Sequence, residues 1–236
     1  MHLPEPVSNQ LRRVLRARPG DEIIVLDDSG LEFGAVVETL ESGEARARVT
    51  SRSKSAGEPN VLITLYQAML KTDKFEFVLQ KCTELGVTRF VPIYCERSVP
   101  RAQAEGSNRY ERWRRIVREA AEQSGRGRLP LVERPLEFIQ ACEDADSPAL
   151  LPWEEERDFG LRRALCAFKA DAVGPGDRRT LSLFIGPEGG FSGDEVEIAR
   201  SHGITSVTLG RRILRAETAG IATVAAAMYE LGELGG

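Results

Sequence analysis

The chain has 236 residues, of which 42% are hydrophobic and 29% charged, with a net charge of −4. This is the composition of a core-forming soluble chain rather than a disordered one, and the length suits one large domain with at most one small companion. The acidic balance argues against indiscriminate nucleic-acid binding. The apolar run Ile221–Tyr229 is far shorter than the roughly 20 residues of a bilayer span, and Met1–Arg18 has no apolar leader core, so a cytoplasmic protein is expected.

In chain order, the turn sequences Pro19-Gly20-Asp21 and Asp28-Ser29-Gly30 bound a predicted strand over 22–27. A second strand is expected at Leu31–Leu40, then a hairpin loop at Glu41-Ser42-Gly43-Glu44 and an alternating strand at Ala45–Thr50. Residues 1–60 therefore read as a small all-β domain, and Ser51–Asn60 has the composition of a linker. From Val61 the rhythm changes. Strands are predicted at Val61–Met69, Thr88–Cys95, Leu131–Glu133, Ala149–Pro152, Leu181–Gly186 and Thr205–Leu209. Helices are predicted near 74–85, 109–123, 135–144, 158–169, 193–202 and 217–234. Such alternation over 61–236 implies an α/β domain with a mainly parallel sheet covered on both faces.

In the helix over 109–123, Tyr110, Trp113, Ile116, Val117, Ala120 and Ala121 form one apolar stripe that faces a core. Arg112, Arg114, Arg115 and Arg118 alternate with acids at helical spacing and read as a solvated face. The charge is nevertheless uneven: residues 71–134 hold 14 Lys and Arg against 9 Asp and Glu. Cations predicted to lie in loops, Arg97, Arg101, Arg126 and Arg128, are candidates for phosphate contacts.

The only histidines are His2 and His202, and the four cysteines contain no C-x-x-C pair. Zinc sites built on histidine clusters and Ser-His-Asp or Cys-His catalysis are excluded, no metal is expected, and the cysteines read as free buried thiols. Two loops at predicted strand ends carry the chemistry instead. Leu183–Phe191 runs an apolar strand into Gly186-Pro187-Glu188-Gly189-Gly190, followed by the capping box Ser192-Gly193-Asp194-Glu195. It lacks the Gly-Lys-Ser/Thr of a phosphate loop. Lys71-Thr72-Asp73-Lys74, after the first strand of this domain, lacks the glycines of a dinucleotide fingerprint. The second loop, Leu209–Gly220, enters the last helix through Arg211, Arg212, Arg215 and Glu217. Arg215 and Glu217 stand among apolar residues, where a charge needs a partner or a ligand.

These loops, together with "KTDKFEFVLQKCTELGVTRFVPIYCERSV", "EAAEQSGRGRLP" and "VLRARPGDEI", resemble the ribosomal RNA small-subunit methyltransferase E (RsmE-type) family of the SPOUT superfamily over nearly the whole chain. The resemblance implies a PUA-like β-barrel for RNA over 1–60; relatives carry a further strand ahead of "VLR", so either this barrel is incomplete or the start of the chain is placed too late. It further implies a SPOUT α/β domain over 61–236 tied in a deep trefoil knot. By resemblance, the knot loops would hold S-adenosylmethionine through Leu151, Pro152, Ile185, Gly186, Pro187, Glu188, Gly189, Gly190, Leu209, Gly210, Ile213, Leu214, Arg215 and Thr218. The implied partners are the 16S rRNA of the small ribosomal subunit and a second copy of the chain, with neither DNA nor membrane. The implied reaction is methylation at N3 of one uridine. Glu217 or Glu188 would be base or orienter and Arg215 the electrostatic stabiliser. Lys71, Lys74, Lys81, Arg97, Arg126 and Arg128 would contact RNA. Two other readings fit the same motifs: a catalytically idle RNA-binding assembly factor, and a SPOUT methyltransferase with another RNA target.

Overall fold

The structure, a computed structural model, describes residues 1–41, 44–98, 107–170 and 178–235. Arg101 and the hairpin tip Ser42-Gly43 lie outside the described residues. The chain divides into two compact units, Met1–Glu58 with Glu122–Arg128 and Pro59–Ala121 with Leu129–Gly236.

The first unit is an antiparallel sheet of β1 (His2–Leu3), β2 (Glu22–Leu26), β3 (Leu31–Glu41) and β4 (Glu44–Lys54), in the order β1-β4-β3-β2. A helix that the sequence pattern does not announce, α1 (Glu5–Arg13), stands between β1 and β2. Its first turn carries Glu5 and its last Arg12 and Arg13, the charge order the helix dipole favours. Of its apolar positions only Leu11 is buried, in a small cluster with Leu3, Ala35, Ala45 and Ala47, so no repeating stripe marks it. β4 also runs through Ser51–Lys54, the start of the stretch that reads as linker. The side chains there are exposed and polar, and the strand is fixed by main-chain pairing of Ser51–Lys54 with Gly34–Leu31. Composition reports side-chain burial and is blind to such an exposed strand.

The second unit contains β5 (Val61–Ala68), α2 (Thr72–Glu84), β6 (Arg89–Tyr94), α3 (Ser107–Gln123), β7 (Leu131–Val132), β8 (Leu136–Glu137) and α4 (Phe138–Asp144). It continues with β9 (Ala149–Pro152), α5 (Leu161–Ala170), β10 (Arg179–Ile185), α6 (Gly193–Ser201), β11 (Thr205–Val207) and α7 (Ala216–Glu230). The last two residues of α3 belong to the first unit. The sheet order is β11-β9-β10-β5-β6-β7, with β8 also on β6, and every pairing is parallel. Alternation along the strands divides the core. Ile63, Leu65, Leu183 and Ile185 pack with α2, α3, α5 and α7, while Tyr66, Ala68 and Phe184 face α4 and α6. The helix expected from 158 starts at 161, because the Glu156 carboxylate accepts the Asp158 and Phe159 backbone N–H groups in a turn. The last helix stops at Glu230, ahead of Gly232 with its positive φ, rather than at 234.

All four cysteines are free. Cys82 and Cys142 are buried and Cys95 half-buried, while Cys166 is exposed, contrary to the expectation of four buried thiols. Burial pushes the Cys142 thiol up to about 12 and also raises those of Cys82 and Cys95, which makes these three poor nucleophiles.

Candidate active site

In a parallel α/β sheet the functional edge is the carboxyl edge, and here both unusual loops leave it. β10 ends with Ile185 fully buried, and the chain enters Gly186–Phe191. The turn closes with the Gly190 N–H donating to the Pro187 carbonyl at 3.0 Å. Gly190 sits at φ +70° and Gly210, in the other loop, at φ +104°, conformations that disfavour a side chain. The far end of the first loop is pinned by the capping box. Ser192 N–H donates to Glu195 Oε2 at 2.9 Å, and Glu195 N–H donates to Ser192 Oγ at 3.3 Å. Glu195 Oε1 also accepts the Glu96 N–H at 2.8 Å, which ties the chain after β6 to the same corner. Arg97 then reaches across to donate from Nη1 to the Gly189 carbonyl at 3.0 Å.

The second loop leaves β11, and Leu209, Gly210, Leu214 and Thr218 line a cleft of about 850 Å³ between it, α5 and α7. This volume suits a small organic ligand. Four of the residues implied for the methyl donor thus share one cavity. Others do not: Ile185–Gly190 and Leu151–Pro152 lie outside its lining. Leu151 and Ile185 are fully buried, whereas Ile213 is almost wholly exposed.

The charged centre is a triad on Lys74. Its Nζ lies 3.3 Å from Glu188 Oε1, on the first loop, and 3.4 Å from Glu217 Oε2, in the first turn of α7. Desolvation acts to lower the Lys74 pKa, but the hydrogen bond it donates to Glu188 and the field of Glu217 outweigh it and hold the ammonium above its ordinary range. Glu217 is the more sheltered acid, with its side chain 15% exposed against 33% for Glu188. Arg215 caps the start of α7 by position, is exposed, and makes no ion pair among the described residues. The requirement for a partner is therefore met for Glu217 by Lys74, while Arg215 keeps its guanidinium open to a ligand.

Sequence reasoning missed Lys74 as a member of this centre, and also missed Gln67. Gln67 is buried on β5 opposite Ile185, with Oε1 lacking a donor among the described residues. A lone amide in an otherwise apolar strand end was the available signal.

The cations expected to meet RNA separate into groups. Lys71 is exposed beside the site, and Lys81 is paired with Glu84 at 2.9 Å. Arg97 serves Gly189. Arg128 is exposed, with its backbone N–H donating to Glu58. Arg126 is a correction. It is 3% exposed and its Nε lies 3.3 Å from the nearly buried Glu58 carboxylate, so it is a structural ion pair and not an RNA contact. Removing one member of a buried pair strands the other. Arg126→Ala is expected to lower unfolding stability by about 3 kcal/mol, measured by urea denaturation. An unchanged midpoint would return Arg126 to the surface.

A parallel α/β sheet with two glycine-bearing bends at its carboxyl edge, in a chain that also carries an antiparallel unit, is matched by two families of the RNA methyltransferase class. The RNA methyltransferase domain family matches residues 57–228, and the RNA methyltransferase PUA domain family matches residues 7–50. The chain is 38% identical over 216 residues to the ribosomal RNA small subunit methyltransferase E of Synechocystis, covering 89% of this chain and 66% of that one. It is 32% identical to the Bacillus subtilis protein of the same name, covering 92% and 85%. The crystal structure of ribosomal RNA small subunit methyltransferase E from Neisseria gonorrhoeae, bound to S-adenosyl methionine, superposes with a TM-score of 0.82 at 33% identity, covering 97% of this chain and 91% of that one. The chain belongs to the ribosomal RNA small subunit methyltransferase E family.

Proposed function

We propose that the protein transfers a methyl group from S-adenosylmethionine to N3 of one uridine in the decoding region of 16S rRNA. The observation that carries this reading is the placement of Glu217, Lys74 and Glu188 on the same edge of the sheet as the cleft lined by Leu209, Gly210, Leu214 and Thr218. The cleft suits the donor in volume and in donor chemistry: two leucines, glycine backbone and a threonine hydroxyl can hold a nucleoside without metal. When bound, S-adenosylmethionine supplies an electrophilic sulfonium methyl for in-line displacement.

The chain's own residues do the rest. N3 of uracil carries a proton, so a base has to receive it. Glu217, fixed on a helix and sheltered, is that base, and Glu188 orients Lys74 against it. Arg215, exposed at the start of α7 and without an ion pair among the described residues, offsets the charge that develops on the flanking uracil carbonyls. The target nucleotide has to be unpaired or extruded for N3 to be reached. Lys71, Lys81 and Arg97 contribute cations for the surrounding phosphates, and Arg128 offers another on the first unit.

The reading extends to a cytoplasmic homodimer with a trefoil knot in the second unit. Ile213, in the second loop, is 89% exposed and Tyr229, on α7, 69%, apolar side chains that a second copy would cover. Mass mapping of 16S rRNA from a strain lacking the gene tests the reaction. Loss of a single N3-methyluridine is expected, and its retention would reject the assignment.

A further inference from the structure

We propose that the exposed arginine face of α3 is a docking surface for the phosphate backbone of the RNA substrate, at a distance from the reacting base. The inference rests on the function proposed above and adds a binding surface to it. Residues 108–118 hold five arginines and a single glutamate in a chain whose net charge is negative. The apolar side of the helix is spent on the core, where Trp113 and Val117 are buried. What remains outward is a shallow groove lined by Asn108, Glu111, Arg112, Arg114, Arg115 and Arg118.

A solvated face with alternating charges would show these arginines paired along the helix, and it does so only weakly. Arg114 is 3.9 Å from Glu111 and Arg115 is 3.8 Å from Glu119, both long contacts between exposed groups. Arg118 is exposed and has no ion pair among the described residues. Arg112 is different. Its Nε lies 2.6 Å from Oε1 of Glu76, and its Nη2 donates to Oε2 at 2.6 Å, a two-pronged pair that fastens α3 to α2. Arg109 donates from Nη2 to Thr72 Oγ1 at 2.8 Å, two residues before Lys74 on α2. The face therefore starts beside the catalytic triad and runs away from it along one rigid helix. Arg114 and Arg134 both approach the Tyr110 ring, at 5.8 and 5.5 Å, which adds one further cation, Arg134, beside Arg114.

Like charges at helical spacing repel one another, and they gather on a rigid element when an anion is to share them. Guanidinium groups bind phosphates through paired N–H donors. From Arg109 to Arg118 the helix rises about 14 Å, enough for several consecutive phosphates of a strand leading out of the site.

The test uses Arg115→Gln/Arg118→Gln in the full-length protein, with a 16S rRNA transcript as probe and affinity followed by fluorescence anisotropy over a KCl series. At low salt the variant is expected to lose at least tenfold in affinity, and its log K against log[KCl] slope should shrink by about 1 to 2. S-adenosylmethionine affinity by calorimetry should stay that of wild type, and Arg115→Lys/Arg118→Lys should recover most of the RNA binding. Wild-type affinity and slope in the Gln variant would overturn the proposal. So would normal binding to the transcript with loss confined to assembled small subunits, which would indicate an acidic protein partner instead. If the wild type binds with arginine-dependent affinity but transfers no methyl group, the proposed reaction fails while the docking surface stands.

Discussion

Glu217→Gln is expected to lower the methylation rate constant by about 10²-fold or more, close to 2.7 kcal/mol of transition-state stabilisation. The amide keeps the size of the side chain and can still meet Lys74, so KM for RNA should change little. Arg215→Ala should cost a similar factor, by removing the charge that faces the developing anion. Glu188→Gln should cost less, since Glu188 is the more exposed acid and stands on a loop rather than a helix. Lys74 gives the assignment a pH signature. With its pKa raised, Lys74 stays an ammonium through the neutral and mildly alkaline range, and the stability it adds disappears only as pH rises past that raised value. Lys74→Gln removes that ammonium, so the alkaline limb of the kcat profile that its discharge sets should disappear. A Lys74→Gln profile that overlays wild type, or a Glu217→Gln variant of normal rate, would discard the role given to Glu217.

The α/β rhythm was legible because its strands are short apolar runs separated by amphipathic helices, and because Ser192-Gly193-Asp194-Glu195 states a helix start in four residues. The two glycine-bearing loops were equally visible, since nothing in a plain turn calls for Gly-Pro-Glu-Gly-Gly. What stayed hidden depends on contacts between residues far apart in the chain. Lys74 and Glu188 are 114 positions apart, so Lys74 read as a surface cation until the fold brought both carboxylates to it. Arg126 and Glu58 are 68 apart, and the polar sequence around Arg126 gives no sign that its guanidinium is buried. The helix Glu5–Arg13 and the strand at Ser51–Lys54 escaped for the opposite reason. Each buries so few side chains that hydrophobic periodicity, the main local signal, is absent.

Phe184→Ala should be among the most destabilising single substitutions in the second unit, costing about 3–5 kcal/mol in urea unfolding without a change in slope. Phe184 is fully buried on β10, which lies between β9 and β5. Its ring stacks on Tyr66 with centroids 4.3 Å apart and planes 4° from parallel, and it meets Phe138 edge-on at 6.2 Å. Truncation removes both contacts and opens a cavity that rigid strands on either side cannot close. Tyr66 is itself held, because its hydroxyl donates to Asp144 at 2.8 Å and Asp144 is also paired with Arg89 at 2.9 Å. The ring therefore has little freedom to fill the gap. Ile185 and the Gly186–Gly190 loop follow directly, so a loosened β10 also moves Glu188 relative to Lys74. At a temperature where the variant is still folded, methylation should consequently fall more than donor binding, because Leu209, Gly210 and Leu214 belong to the other loop and Thr218 to α7. A loss of less than 1.5 kcal/mol, the upper range of a conservative core swap, would mean that the sheet repacks around position 184 and that the site does not depend on it for rigidity.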